Sequence, residues 1–111
     1  MKELTWKQFE AVDLRIGTIL TATSFPEARK PAYKLRVDFG TEIGIKNSSA
    51  QITEAYELND LPGKQVLGVV NFPPKQIGPF ISECLITGFH TEGGVILASV
   101  DQKVPNGTKL L

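Results

Sequence analysis

Apolar and polar residues alternate along much of this chain, and a period of two is the pattern of half-buried β-strands. The clearest example is YKLRVDFG at 33–40, where apolar residues at odd positions alternate with Lys34, Arg36 and Asp38. Turn-forming residues separate this segment from its neighbours. The pattern predicts further strands at 14–25, around 43–46, at 64–72 and at 82–90, a hairpin turn at 91–94 leading into 95–100, and a short final strand at 108–111.

Two short helices are predicted, one before the first strand and one in mid-chain. In LTWKQF, Thr5 is the expected N-cap, and Gln8 three residues later completes a capping box. A second helix is expected in mid-chain, with Ser48 or Ser49 as its N-cap, because apolar residues up to Tyr56 recur at helical spacing. Both helices are minor elements in a chain dominated by strand patterns.

Six or seven short strands joined by turns predict an all-β protein built as an antiparallel barrel. A five-stranded Greek-key barrel of the OB type, with short helices, fits this pattern well. An SH3-like barrel or a small sandwich fits the period equally. Gly17 interrupts the first strand and predicts a bulge or a sharp bend there. The length of 111 residues predicts a single domain over 1–111.

Charge is balanced overall but unevenly distributed. Twelve basic and twelve acidic residues cancel, which argues against a strong non-specific polyanion binder. Residues 29–36 nevertheless hold four basic residues and no acid. The single Cys84 cannot form an internal disulfide, which favours a reducing compartment. Because neither a signal peptide nor a membrane span is recognisable, we expect a soluble, cytoplasmic protein.

Catalytic and cofactor chemistry finds little support in the sequence. One histidine and one cysteine cannot form a zinc cluster, and no glycine-rich nucleotide-binding loop is present. His90 is interpreted as a solvated turn residue, and Cys84 as a small buried strand residue. We therefore expect a protein that is not an enzyme and that needs no metal or cofactor.

The basic segment is the first candidate binding surface. Lys34 and Arg36 share one face of their predicted strand, and Arg29 and Lys30 lie in the loop before it. Lysines and arginines placed in this way can follow the phosphates of a nucleic acid, and their binding then weakens as salt is added. A solvated strand face without a ligand is the alternative interpretation.

The segment NFPPKQIGPF at 71–80 is the second candidate. Pro73 and Pro74 cannot donate to a sheet, so the chain should leave the barrel at Phe72. The segment is either a covered loop that plugs the barrel, or an exposed, stiff apolar surface that pairs with a second subunit or receives an extended peptide. The residues predicted to bind peptide are Phe72, Pro73, Pro74, Ile77 and Phe80.

Several of these segments together resemble one known family. They are VDLRIGTI (12–19), FPEARKPAYKLRVDFG (25–40), GIKNSSAQIT (44–53), VVNFPPKQIGPFISECLI (69–86) and VPNGTKL (104–110). The chain resembles the CsaA-type secretion chaperones, which belong to the wider group of tRNA-binding OB-fold domains also found at the C-terminus of methionyl-tRNA synthetases. The resemblance covers nearly the whole chain, and IK-x-SSAQIT and VNFPP are its most specific parts.

The resemblance implies an OB barrel with added terminal elements and a homodimer. It further implies a chaperone that holds unfolded or pre-secretory polypeptides without ATP, in support of protein export and in contact with the export machinery. A tRNA-binding protein is the alternative, and a dimerising subunit that tethers a partner enzyme is a third. The opening motif of the family matches Arg15 and Gly17, and the candidate RNA-binding residues are Arg29, Lys30, Lys34, Arg36, Asn71, Lys75 and Ser82.

Overall fold

A computed structural model describes residues 1–111, and nine strands and two short helices provide its regular structure. The helices are α1 (Trp6–Glu10) and α2 (Gly40–Ile43), and one 3-10 turn covers Leu58–Asp60. The strands are β1 (Leu14–Ser24), β2 (Tyr33–Asp38), β3 (Ile45–Ala50), β4 (Gln65–Val69), β5 (Lys75–Ile77), β6 (Phe80–Ser82), β7 (Leu85–Ile86), β8 (Gly88–Thr91) and β9 (Gly94–Leu97). No helix is both long enough and apolar enough to cross a membrane.

Five strands form a single antiparallel sheet in the order β3-β2-β1-β4-β7. The long strand β1 lies at its centre, because its first half pairs with β4 and its second half pairs with β2. The sheet curls until its edge strands β3 and β7 approach each other, and two hairpins, β5–β6 and β8–β9, lie outside it. The all-β, five-stranded OB barrel expected from the sequence is confirmed.

The core follows from the alternation read in the sequence. Leu35 and Val37 of β2, together with Phe39 just after that strand, point inward and are almost fully buried. Burying apolar surface in this way is the main source of stability in a small domain. The core cluster consists of Ile19, Leu35, Val37, Phe39, Ala50, Ile52, Leu61, Val66, Cys84 and Ile86.

Gly17 is needed for close packing and not for the bulge predicted from the sequence. It pairs regularly with Val66 of β4. The bulge lies further along β1, where the register with β2 shifts between Ile19 and Thr21. A Cβ atom at Gly17 would lie 2.7 Å from Val37 Cγ1 and 2.8 Å from a ring carbon of the buried Phe39. The missing side chain therefore provides space for the core.

Helix predictions succeeded at the N-terminus and failed in mid-chain. The capping box is confirmed, since Thr5 Oγ1 accepts a hydrogen bond from the Gln8 N–H (3.1 Å) and Gln8 Oε1 accepts one from the Thr5 N–H (2.9 Å). The second helix is wrong, because Ser48 and Ser49 lie within β3, which extends to Ala50. The Ser48 hydroxyl donates to the Cys84 carbonyl oxygen and the Ser49 N–H donates to Ser82 Oγ, so tertiary contacts override the capping preference of both serines.

Three further expectations need correction. The segment at 82–90 is not one strand, because β7 ends at Ile86 and His90 lies in β8 instead of a turn. The final strand is reduced to one bridge between Arg15 and Lys109. The chain leaves the barrel at the end of β4, before Phe72, and the segment after the prolines forms the hairpin β5–β6.

Candidate functional site

The barrel closes between β3 and residues 82–84 through side chains as well as backbone. The Glu83 N–H donates to the Asn47 carbonyl oxygen (2.8 Å), and the Asn47 N–H donates to Glu83 Oε1 (3.0 Å). The next outward-facing amide of β3, that of Ser49, donates to Ser82 Oγ (3.3 Å). We call this contact the seam. Side-chain oxygens replace carbonyl partners here, so β3 is satisfied without a full ladder.

Ser48 and Cys84 form the buried inner side of the seam. The Ser48 hydroxyl is fully buried and donates to the Cys84 carbonyl oxygen (3.0 Å), so the polar group has a partner. Burial raises the pKa of the Cys84 thiol from 9.0 to about 11, because the charged thiolate would lose its solvation. Cys84 is therefore a packing residue whose thiol stays protonated at neutral pH.

Residues 71–80, which we call the proline arm, project from the barrel between β4 and the seam. At the base of the arm, Asn71 Nδ2 donates to the Ala11 carbonyl oxygen (2.8 Å) and Asn71 Oδ1 accepts from the Asp13 N–H (3.0 Å). Pro73 and Pro74 follow and are exposed. Asn71 therefore fixes the point where the arm departs, with both ends of its amide already bonded within the chain.

An aromatic contact holds the far end of the arm. The Phe80 ring packs against Phe25 at a centroid distance of 5.3 Å, in an edge-on arrangement. Lys34 Nζ lies 5.5 Å from the Phe25 ring centroid and 6.0 Å from that of Phe80, within the range of a cation–π contact. This cluster attaches the hairpin β5–β6 to the loop before β2.

An open groove of about 770 Å³ lies between the proline arm and the rim of the barrel, and we call it the arm groove. Its apolar lining is exposed, since Phe72 is 53% and Leu85 48% accessible. Lys75 is the only charged residue in its lining. The lining residues are Ser49, Gln51, Phe72, Pro73, Pro74, Lys75, Gln76, Ile77, Ser82, Cys84 and Leu85.

Four of the five residues predicted to bind peptide line this groove, and Phe80 does not. Phe80 contacts Phe25 and pairs with Ile77 across the hairpin β5–β6, so it adjoins the groove through Ile77 without lining it. Sequence reasoning missed Leu85 and Gln51. Leu85 could have been found from alternation, because it points away from the core between the buried Cys84 and Ile86.

The seven candidate RNA-binding residues divide among different environments. Arg29, Lys30 and Arg36 are exposed, and Lys75 lies in the arm groove. Lys34 contacts the aromatic cluster. Asn71 and Ser82 use their polar groups in hydrogen bonds within the chain.

Arg15, which matches the opening motif of the family, is held by contacts with other residues of the chain. Its Nε donates to Asp13 Oδ1 (2.6 Å), its Nη1 donates to the Gly107 carbonyl oxygen (3.1 Å), and Glu42 lies 3.6 Å away. The hydrogen bond with Asp13 is the main cause of a raised pKa for Arg15. The motif therefore ties the start of β1 to the C-terminal segment.

Comparison with known proteins agrees with this architecture. The family model described as "Putative tRNA binding domain" matches residues 14–109. The crystal structure of the CsaA chaperone protein from Picrophilus torridus is 48% identical, with a TM-score of 0.93 over 98% of this chain and 100% of that chain. The chaperone CsaA from Bacillus anthracis is 47% identical, with a TM-score of 0.91 over 99% of this chain and 100% of that one.

Methionine–tRNA ligases are similar over a small part of their length. Methionine–tRNA ligase 1 of Bacillus anthracis is 35% identical over 109 residues, which are 98% of this chain and 16% of the ligase. The ligase of Methanocaldococcus jannaschii is 32% identical over 111 residues, 17% of its length. The catalytic activity of these ligases resides in their other domains. The domain that matches this chain is a tRNA-binding or chaperone-like domain and not a catalytic one.

The environment of Cys84 predicts slow alkylation in the native protein. With a pKa of about 11, its thiolate fraction near pH 8 is about a hundredfold below that of a thiol at its ordinary pKa. We expect iodoacetamide labelling, followed by mass spectrometry, to be at least that much slower in buffer than in urea. Because the thiol is harder to ionise in the folded state, its contribution to the free energy of unfolding should be fully present below pH 9 and should be lost as pH rises towards 11. Equal labelling rates in buffer and urea would contradict a buried thiol.

Proposed function

Because the chain belongs to the tRNA-binding domain family and to its CsaA-type branch, we propose that it is a homodimeric, ATP-independent chaperone of the cytoplasm. In this proposal it binds unfolded or pre-secretory polypeptides in support of protein export. The observation that carries the proposal is the arm groove, in which apolar side chains stay exposed beside a stiff backbone.

The groove has the properties that a sequence-tolerant peptide site requires. Pro73 and Pro74 have no N–H groups, so this part of the arm cannot add a client as a regular β-strand. A client can instead contact the apolar side chains of Phe72, Ile77 and Leu85, and its affinity then depends on the apolar area that binding buries. Because the prolines already fix the backbone, little conformational entropy is lost when a client binds.

A second exposed apolar surface supports the homodimer. Trp6 is 66% exposed, and its ring centroid lies 5.5 Å from that of Phe9. With Val12, Leu110 and Leu111 these residues line a depression of about 280 Å³ formed by the two chain termini. A twofold pairing of this surface would bury it in both copies without using any residue that lines the arm groove. Two grooves per dimer would raise avidity for a long client.

Sedimentation velocity tests the dimer. We expect the wild-type chain to sediment as a dimer and Trp6→Ala to shift it towards monomer, because aromatic residues at the centre of an interface contribute most to binding. Leu20→Ala, which also removes an exposed apolar side chain, is the control and should remain dimeric. A monomeric wild-type protein would rule out the dimer, and a fully dimeric Trp6→Ala variant would place the interface elsewhere.

The chaperone activity is tested by the aggregation of a chemically denatured client, followed by light scattering without ATP. We expect wild-type protein to suppress scattering, and Phe72→Ala to require about tenfold more protein, since a buried phenylalanine contributes roughly 1.5–3 kcal/mol. The matched control is Phe89→Ala, because Phe89 is 63% exposed on β8 and lies outside the arm groove. Equal losses in both variants would show that general surface hydrophobicity, and not this groove, is responsible.

The family match favours tRNA binding as the second candidate. Arg29, Lys30 and Arg36 are exposed near one another in sequence and could contact phosphates. Gel-shift titrations with tRNA at two salt concentrations should then show affinity that falls steeply with salt. Arg29→Ala and Arg36→Ala should each weaken binding and reduce the salt slope by about one, while Lys64→Ala should not. The absence of a shift at either salt concentration would eliminate this candidate.

A further inference from the structure

The arm groove does not end at the barrel rim. A cavity of about 430 Å³ adjoins it and shares the lining residues Ser49, Gln51 and Leu85. A third cavity of about 350 Å³ shares Gln51, His90 and Val95 with the second. The three cavities are therefore neighbours, and we call the row that they form, from the proline arm past the end of β3 to the hairpin β8–β9, the trough.

The far end of this trough has a different chemistry from the arm groove. Its lining contains one apolar side chain, Val95, apart from Pro31, and it contains both a cation and a carboxylate, Lys30 and Glu54. Both side chains are exposed, and neither forms an ion pair within the chain. The ion pairs that the chain does form are those of Arg15 with Asp13 and Glu42. We call this end, lined by Lys30, Gln51, Thr53, Glu54 and His90, the polar end.

An unpaired donor and an unpaired acceptor in one pocket fit a ligand that offers both kinds of group. A polypeptide main chain does so, since each residue other than proline carries one N–H and one carbonyl oxygen. Lys30 can donate to a carbonyl oxygen, and Glu54 can accept from an N–H. A nucleic-acid backbone carries one negative charge per phosphate, and the Glu54 carboxylate would repel it. No Phe, Tyr or Trp lines the polar end to stack on a base.

We propose that the polar end is a second subsite, which binds the main chain of the same polypeptide segment whose apolar side chains occupy the arm groove. This inference rests on the proposed chaperone function and deepens it. The client is then an extended segment with an apolar stretch at one end, held elsewhere through its backbone. Because main-chain atoms are common to all polypeptides, the second subsite adds affinity without adding sequence specificity.

Fluorescence anisotropy with three labelled peptides tests this subsite. The first contains about five Leu, Phe and Val residues, a length that suits one cavity at about 3.3 Å per residue. The second adds about four Ser and Asn residues. The third carries the same addition with ester bonds in place of amides, which removes the N–H donors. We expect the amide extension to raise affinity about fivefold and the ester extension to lose most of that gain.

Variants then identify the groups responsible. Lys30→Ala and Glu54→Ala should each remove the gain from the amide extension and leave the affinity for the short peptide unchanged. Glu57→Ala and Lys64→Ala, exposed charges outside the trough, are the matched controls and should keep the gain. Glu54→Ala should have no further effect on the ester peptide, since the N–H that Glu54 would accept is already absent.

Each contrary outcome has its own meaning. If the short peptide binds and the extension adds nothing, or if the gain survives in both variants, the polar end is not a peptide subsite while the arm groove stands. If no peptide binds, the proposed chaperone function fails as well. If a single-stranded oligonucleotide competes with the extended peptide and binds more tightly to Glu54→Ala than to wild type, the ligand of the polar end is a nucleic acid and not a polypeptide.

Discussion

Closure of the barrel at the seam is the constraint on which the site depends. A regular ladder between β3 and residues 82–84 would use the outward amides of β3 in strand pairing, yet Glu83 and Ser82 bond two of them through side chains. Because side chains make these bonds, the chain that enters the seam can pair as β6 with β5, and residues 71–80 project as the proline arm. The arm groove lies where the arm and the seam meet, and Ser49, Ser82 and Cys84 line both.

The proline arm keeps its position because both of its ends are attached. Asn71 bonds the backbone near α1 at the base, and Phe80 packs against Phe25 at the far end. Between these points the prolines restrict the backbone, so the arm is not free to collapse onto the barrel. Exposed apolar side chains normally cost solubility, and a fixed arm keeps those of Phe72 and Ile77 on the arm groove. The geometry thus separates a rigid binding surface from the core that supports it.

The sequence predicted the fold class, most strands and the family resemblance, because alternation and specific motifs are local signals, and all three are confirmed. The mid-chain helix was wrong because Ser48 is bonded to Cys84, a partner distant in sequence that no local pattern reveals. The contact of Phe80 with Phe25 was not predicted for the same reason, since Phe25 belongs to another loop. The trough beyond the arm groove brings together side chains from four separate segments, so spacing along the chain could not indicate it.

The most direct measurement of the central claim is an amide chemical-shift titration of the isotope-labelled protein with an unfolded polypeptide. Binding in the trough predicts shifts at Ser49, Gln51, Gln76 and Leu85, which line the arm groove and its continuation, and at His90 beside the polar end. The amide of Arg36, an exposed basic residue that lines none of the three cavities, should stay unchanged. A shift at Arg36, with the trough residues unaffected, would contradict the account.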